Sequence, residues 1–351
     1  MRRWLSRIPA RFQGESVTRC EPCRLCGATT GIRIGKVDYW DLRTSDLLQC
    51  PSCRHIQLDP MLNDAETAAG CLAYYFEELQ RVGKRETEKN AERNFRRGVL
   101  FGYKLKRKGI IPAEALEMGP GSGYFAAGLR FVFPALKMTV MDVNAEVLAP
   151  IRSTHGFLTL EGVPERFVES CESRFDLVIA RDLLEHVADV PAAIRNIVRY
   201  LVPGGLFHFI TPNGQEDVWK HYLAAKMAGR PSELLINHVN YFDGNSLRKL
   251  LERNGLSAVE YYTYGIKRTL RGNGWKSSTK LMAGLSRGKR VDEQLNSIHN
   301  DSSGPFPLKK WYIIPKRPRL TWLYCLWHHH EILRLPPEAN VGHEIWGIFR
   351  K

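Results

Sequence analysis

The sequence predicts an α/β fold: a Rossmann-like, mostly parallel sheet with helices packed on both faces. Two stretches and their spacing carry that prediction. The first is Ala115-Leu116-Glu117-Met118, running into Gly119-Pro120-Gly121-Ser122-Gly123 and then Tyr124-Phe125-Ala126-Ala127-Gly128-Leu129. An apolar run with one acid, three glycines spaced by two and a helix-compatible stretch read as a buried strand, a tight turn and a helix whose first N–H groups face a ligand. Glycine is needed because the backbone must reverse sharply and let the ligand approach with no Cβ in the way. The second stretch, Met138-Thr139-Val140-Met141, is a strand ending on Asp142. That acid lies about 20 residues past the last glycine, the distance at which a carboxylate takes ribose hydroxyls. The dinucleotide pattern wants its third glycine where this chain has Tyr124, so a pyrophosphate-binding oxidoreductase fits poorly.

The elements then follow in order. Asn144 is placed to cap a helix running to His155, with Gly156 as its stop. Pro150 within it is expected to kink or shorten that helix. Phe157-Leu158-Thr159-Leu160 reads as the third strand, and Phe175-Asp176-Leu177-Val178-Ile179-Ala180 as the fourth. Arg181-Asp182-Leu183-Leu184-Glu185-His186-Val187 follows it directly. Asp189 and Pro191 open a helix whose apolar positions Val190, Ile194, Ile197, Val198 and Leu201 share one face. Leu201-Val202-Pro203-Gly204-Gly205 leads into the fifth strand, Leu206-Phe207-His208-Phe209-Ile210. Leu247, Leu250 and Leu251 mark a helix stopped by Gly255. Val259-Glu260-Tyr261-Tyr262 is the sixth strand, and Glu344 to Arg350 the last.

This ordered series of motifs over 115–264 resembles the class I S-adenosylmethionine-dependent methyltransferases, in the branch whose fourth strand is followed by Leu-Glu-His. The resemblance implies a seven-stranded sheet in the order 3-2-1-4-5-7-6, with strands six and seven antiparallel. The methyltransferase domain is then 111–264 plus 343–351, and 265–342 is an insertion between strands six and seven. It also implies the cofactor contacts. Glu117 would serve the methionine ammonium region, and Gly119, Gly121 and Ser122 would line the amino-acid moiety. Asp142, followed by Val143, would hold the ribose, Gly162 and Val163 the adenine, and Arg181 the methionine carboxylate.

Methyl transfer from a sulfonium needs in-line alignment and, for a hydroxyl or carbon acid, loss of a proton. His186 is the first candidate base, because imidazole titrates near working pH. His238 and Tyr241 are alternatives from the segment expected to overhang the acceptor. Asp182-Leu183-Leu184-Glu185-His186 also resembles the acid-x-x-Glu-His pattern that binds a divalent ion in ubiquinone-pathway O-methyltransferases, so Asp182, Glu185 and His186 form a candidate magnesium or manganese site.

Five of the eight cysteines lie between 20 and 53. Cys23-x-x-Cys26 and Cys50-x-x-Cys53 are two knuckles 23 residues apart, with strand-like pieces at Gly31–Ile34 and Val37–Trp40 between them. The spacing reads as a four-thiolate structural zinc ribbon over 20–60. A disulfide framework is the competing reading, and Cys20 could replace Cys23 in the ligand set. About forty residues cannot bury enough core alone, so metal would supply the folding free energy, on the order of 10 kcal/mol. The segment also resembles the zinc-binding N-terminal domain of some bacterial sugar-type methyltransferases. Residues 64–110 read as helical and charged, opened by Tyr74-Tyr75-Phe76, and 1–19 as a basic leader. The resemblance implies that this Tyr-bearing helix covers the cofactor, the alternative being aromatics that only pack.

The chain has 351 residues and a net charge of +14, unevenly spread. Residues 1–110 carry 21 basic against 13 acidic side chains, 111–264 carry 14 against 18, and 265–351 carry 16 against 6. Basic flanks around an acidic core suggest an anionic partner: nucleic acid, a phospholipid surface or a phosphorylated substrate. From Tyr261 to Val291 there is no Asp or Glu, and Lys309–Arg319 interleaves bases with Trp311 and Tyr312. Such a segment suits an anionic membrane surface, a nucleotide-sugar diphosphate, single-stranded RNA, or plain packing on the core. No apolar run reaches 18 residues and the start lacks a secretory pattern, so a cytoplasmic location is expected, with peripheral membrane contact through the insertion. The expected activity is methyl transfer to a small-molecule acceptor, a sugar, nucleotide-sugar or other secondary metabolite. An RNA-modifying enzyme and a non-catalytic assembly protein are the alternatives.

Overall fold

The computed structural model describes residues 17–39, 43–218, 233–234, 238–265, 334–337 and 342–351. The basic leader, most of the 265–342 insertion, and the side chains of Tyr74, Tyr75 and Phe76 lie outside the described residues.

The large sheet has seven strands: β5 (Glu114–Met118), β6 (Lys137–Asp142), β7 (Leu158–Glu161), β8 (Phe175–Arg181), β9 (Leu201–Pro212), β12 (Ser257–Tyr264) and β13 (Glu344–Arg350). Their order is β7-β6-β5-β8-β9-β13-β12. The expected order 3-2-1-4-5-7-6 is therefore found, with β13 antiparallel to both its neighbours. Strand periodicity sorts the side chains. Ala115, Leu177, Ile179 and Trp346 face one core, while Leu116, Met118, Val178, Ala180 and Phe349 face the other.

Helices α2 (Tyr124–Val132) and α3 (Ala145–His155) cover the first face, and α4 (Val190–Tyr200) and α5 (Gly244–Arg253) the second. The caps lie where the sequence placed them: Asn144 Oδ1 accepts from Glu146 N, Gly156 takes the left-handed conformation, and Asp189 Oδ1 accepts from Ala192 N. Helix α3 runs on through Pro150 to His155, without the expected shortening. Its buried face, Val147, Leu148 and Ile151, holds it while Pro150 stays exposed.

The long helix α1 (Asp64–Arg107) starts on a reciprocal cap, Asn63 Oδ1 accepting from Glu66 N and Glu66 Oε2 accepting from Asn63 N, both at 2.9 Å. Its C-terminal part crosses α2 backbone to backbone. A Cβ on Gly98 would stand 2.0 Å from Phe125 O, and one on Gly128 would stand 2.1 Å from Phe95 O.

The N-terminal sheet joins β1 (Val17–Arg19), β2 (Thr30–Tyr39), β3 (Arg43–Gln49) and β4 (Ile56–Asp59). It extends beyond the cysteine hairpins: β10 (Glu233–Leu234) pairs with β2, and β11 (Asn240–Tyr241) pairs with β4. A third apolar core, with Leu47, Ile56 and Leu58 against Val218, Val239 and Tyr241, lies under this sheet. The ribbon is thus sewn to the segment that follows β9.

Candidate active site

The loop after β5 turns on Gly119, Gly121 and Gly123, with φ of 63°, 55° and 75°. These angles favour glycine, and a Cβ on Gly119 would also come within 3.1 Å of Leu183. Gly119 N donates to Met141 O at 2.9 Å, locking the ends of β5 and β6 together. His155 Nε2 donates to Ser122 O at 3.3 Å and steadies the far side of the loop.

An open cleft runs along the C-terminal ends of β5, β6 and β7, where ligands bind in open α/β sheets. Gly119, Asp142, Val143, Gly162, Val163 and His186 line it. Asp142 ends β6, its Oδ1 accepts from Asn144 N at 3.0 Å, and burial raises its pKa above the usual carboxylate range. Ser122 is exposed on the loop.

Glu117 and Arg181 share the sheet face under α2. Glu117 is 2% exposed, and burial pushes its pKa up to about 7 against the pull of Arg181. The Arg181 guanidinium lies 4.0 Å from the Phe125 ring centroid, buried rather than on the surface. Glu117 Oε2 and Arg181 Nε have no hydrogen-bond partner. An unmatched buried carboxylate oxygen and guanidinium nitrogen beside a glycine cradle fit the ammonium and carboxylate of an amino-acid moiety, as in S-adenosylmethionine.

At the other end of the cleft, β8 runs into Asp182-Leu183 and a 3-10 turn, Leu184–His186. The His186 and His238 rings stand 5.0 Å apart, edge to face. His238 Nδ1 donates to Asp217 Oδ2 at 2.9 Å. Burial works against charge on His238, but the Asp217 bond and the carboxylates of Glu185 and Asp182 outweigh it and raise its pKa. Burial and His238 together push His186 down to about 3, so it is neutral. Glu185 is 2% exposed, accepts from Thr211 Oγ1 at 2.8 Å, and is pushed by burial to about 8.

Of the divalent-ion set expected from the sequence, Glu185 and His186 come together, with His238 in the place of Asp182. Asp182 is exposed at a φ of 50°, and the donors that converge are Glu185, His186 and His238, within 4.8 Å of one another. Within this group Asp217 bonds His238 and Thr211 bonds Glu185. Tyr241 is also displaced from its expected role. It is 1% exposed in the third core, and its hydroxyl donates to His238 O at 3.0 Å. It fixes the backbone of His238 instead of facing the cleft.

Sequence reasoning missed Asp217, whose helical turn carries no motif, and Thr67 and Glu165 in the cleft wall. The sequence reading of 64–110 as helical gave no sign that Thr67 lines the cleft with Gly119.

Cys23, Cys26, Cys50 and Cys53 come together. Cys23 Sγ lies 3.5 Å from Cys53 Sγ, and Cys26 Sγ lies 3.5 Å from Cys50 Sγ. These separations are far beyond a disulfide bond. They approach the roughly 3.8 Å between sulfurs on a tetrahedral ion with Zn–S near 2.3 Å. Both knuckles end on a left-handed residue, Gly27 (φ 78°) and Arg54 (φ 64°), with Gly27 N donating to Cys23 O and Arg54 N to Cys50 O. The donor set fits zinc.

A family model described as "Methyltransferase domain" matches residues 73–261. The chain is 27% identical over 172 residues to the ubiquinone biosynthesis O-methyltransferase of Serratia proteamaculans, covering 43% of this chain and 69% of that protein. It is 35% identical over 126 residues to the one from Methylobacterium nodulans, covering 32% and 47%. The chain therefore spans between about half and two-thirds of the length of these curated relatives. Among solved structures, it is similar to N-methyltransferase NodS from Bradyrhizobium japonicum in complex with S-adenosyl-L-homocysteine, at 13% identity and a TM-score of 0.36 over 72% of this chain and 85% of that one.

Proposed function

The chain belongs to the S-adenosylmethionine-dependent methyltransferases, and we propose that it methylates a hydroxyl or acidic carbon of a small molecule with His238 as the base. The observation that carries this reading is the His238–Asp217 pair. Asp217 keeps the proton on Nδ1, so Nε2 is the basic atom beside neutral His186. When bound, the cofactor supplies an electrophilic methyl on a sulfonium. As the acceptor atom took that methyl from the sulfonium, His238 Nε2 would receive the acceptor's proton.

On the cofactor side, Glu117 would face the ammonium, Gly119, Gly121 and Ser122 the amino-acid portion, and Arg181 the carboxylate. Asp142 with Val143 would hold the ribose, and Gly162 with Val163 the adenine. The names of the curated relatives support an oxygen acceptor, and the resemblance of the ribbon supports a sugar or nucleotide-sugar. The basic flanks support an anionic group on that acceptor, a phosphate or a lipid-linked diphosphate.

The test incubates the protein with methyl-labelled cofactor and a panel of nucleotide-sugars and catechols, with bulk tRNA as a further arm. Label in a small molecule, reduced about 100-fold or more by His238→Gln with product-cofactor affinity intact, is the expected result. Label in tRNA alone would replace this reading with the RNA one, and a wild-type rate in His238→Gln would remove the base assignment.

A further inference from the structure

The cysteine hairpins and the active-site segment are joined by a short chain of buried polar contacts. His55 lies two residues past Cys53 and is fully buried. Its Nε2 stands 3.2 Å from Asn240 Oδ1, and Asn240 Nδ2 donates to Val187 O at 2.6 Å. A carbonyl can only accept, so the amide nitrogen of Asn240 must face Val187 and its oxygen must face His55. The proton of His55 is thereby placed on Nε2. Next to this contact, Val239 N donates to Glu185 O at 2.9 Å. Asn240 and Val239 thus clasp the backbone on both sides of His186, immediately after His238 in the chain.

The hairpin is itself anchored. Ser246 Oγ donates to Cys53 O, Gln215 Nε2 donates to Arg54 O at 3.0 Å, and Arg54 Nε lies 3.6 Å from Asp243 Oδ2. Cys23, Leu25 and Cys50 share one apolar core with Phe242 and Leu247. Deleting one member of a buried polar chain leaves the others unmatched, so its effect reaches the next link.

We propose that His55 and Asn240 are positioning residues, a strut through which the four-cysteine hairpin sets the spacing of His186 and His238 at the cleft. The ribbon is then a working part of the acceptor side, not an appended module. The catalytic consequence rests on the reading of His238 as base, while the strut itself rests on the contacts alone.

The experiment compares zinc-loaded wild type, His55→Leu, His55→Gln and Asn240→Asp with imidazole nitrogens labelled. Gln can reproduce the donor of His55, whereas Leu cannot. Asp keeps the acceptor for His55 and loses the donor to Val187. Side-chain resonances of His186 and His238 are read by NMR at about pH 7.5, where the ordinary imidazole is neutral. Zinc content and affinity for S-adenosylhomocysteine are measured alongside. The expected result is displaced His186 and His238 resonances in His55→Leu and Asn240→Asp and near-wild-type resonances in His55→Gln. Zinc should stay at one per chain, with cofactor-product affinity within about twofold, far inside a tenfold loss.

Unchanged resonances in His55→Leu and Asn240→Asp overturn the strut. So does failure of His55→Gln to restore them, or loss of product affinity in step with the shifts, because His55 would then serve general folding. If His55→Leu does not fold, Asn240→Asp decides by the same criteria; failure of both to fold overturns the proposal. A wild-type methyl-transfer rate in His238→Gln would sink the base assignment and leave this result standing.

Discussion

Asp217 holds His238, Oδ2 to Nδ1 at 2.9 Å, so the proton sits on Nδ1 and the basic nitrogen of the imidazole is Nε2, with the His186 ring 5.0 Å away. The pair raises the pKa of His238 above its ordinary value. A base must be deprotonated, so the acid limb of the kcat/KM profile should lie above the ordinary histidine value of about 6.5. Asp217→Asn removes the charge that favours imidazolium, and the limb should move to lower pH as the maximal rate falls. A pH–rate profile from pH 5 to 9 reads both changes. An unmoved limb would mean that another group titrates. The sign for stability follows: the raised pKa contributes stability at low pH that is lost as pH rises through the folded value.

Glu117 predicts the pH dependence of cofactor binding. Buried with a pKa of about 7, it is half protonated near neutrality in the empty protein. A bound ammonium favours the carboxylate, so affinity should rise with pH until Glu117 is ionised, and fall by up to about tenfold per unit below that. Glu117→Gln should weaken binding and flatten the dependence between pH 6 and 8. Calorimetric titration with S-adenosylhomocysteine checks it. For stability the sign is opposite: the raised pKa stabilises at acid pH, and that contribution is lost as pH rises through about 7.

Asp142 gives a plainer binding test. Its carboxylate stands at the open cleft with Oδ1 on Asn144 N. Asp142→Ala should weaken S-adenosylhomocysteine by about 1.5–3 kcal/mol, the range for a lost hydrogen bond to a charged group. Equal affinity by calorimetry would remove Asp142 from the ribose.

The parts legible in the sequence were those set by local chemistry. The glycine loop, the acid closing β6, the Asn144 and Asp189 caps and the two cysteine knuckles each declare themselves within a few residues. Contacts between distant segments left no local trace. Asp217 meets His238, and His55 meets Asn240, only because the two-residue strand β11 adds to the ribbon sheet, and two residues show no periodicity. Tyr241 was misplaced for the same reason: its neighbours in sequence suggested a cleft, whereas its pairing with Ile56 turns it into a core.

The four thiols predict one tightly held zinc per chain, measured by elemental analysis of protein purified without added metal. Cys26→Ser should lose it. Cys23 and Cys50 share a core with Phe242 and Leu247, so metal loss should lower the melting temperature of the whole chain, not of the hairpins alone. Full metal content in Cys26→Ser would mean that Cys20, close to the cluster, enters the ligand set.

The last prediction concerns the crossing of α1 and α2. Gly98 and Gly128 bring the two backbones together, and an added Cβ at either would meet a carbonyl oxygen at 2.0–2.1 Å. Helix propensity alone would favour Gly98→Ala by about 1 kcal/mol. Overpacking against backbone works the other way by about 1–3 kcal/mol, because no flexible side chain can give. Gly98→Ala should therefore destabilise, despite being a better helix former. Gly102→Ala is the comparison: its Cβ would meet Val132 Cβ at 2.8 Å, a milder overlap than the 2.0 Å approach of a Gly98 Cβ to a carbonyl oxygen, so it should cost less. Thermal melts should rank wild type and Gly102→Ala above Gly98→Ala. Because α2 begins at the glycine loop, Gly98→Ala should also weaken S-adenosylhomocysteine more than Gly102→Ala does. The reverse order in either measurement would mean that the helices are not held at backbone contact.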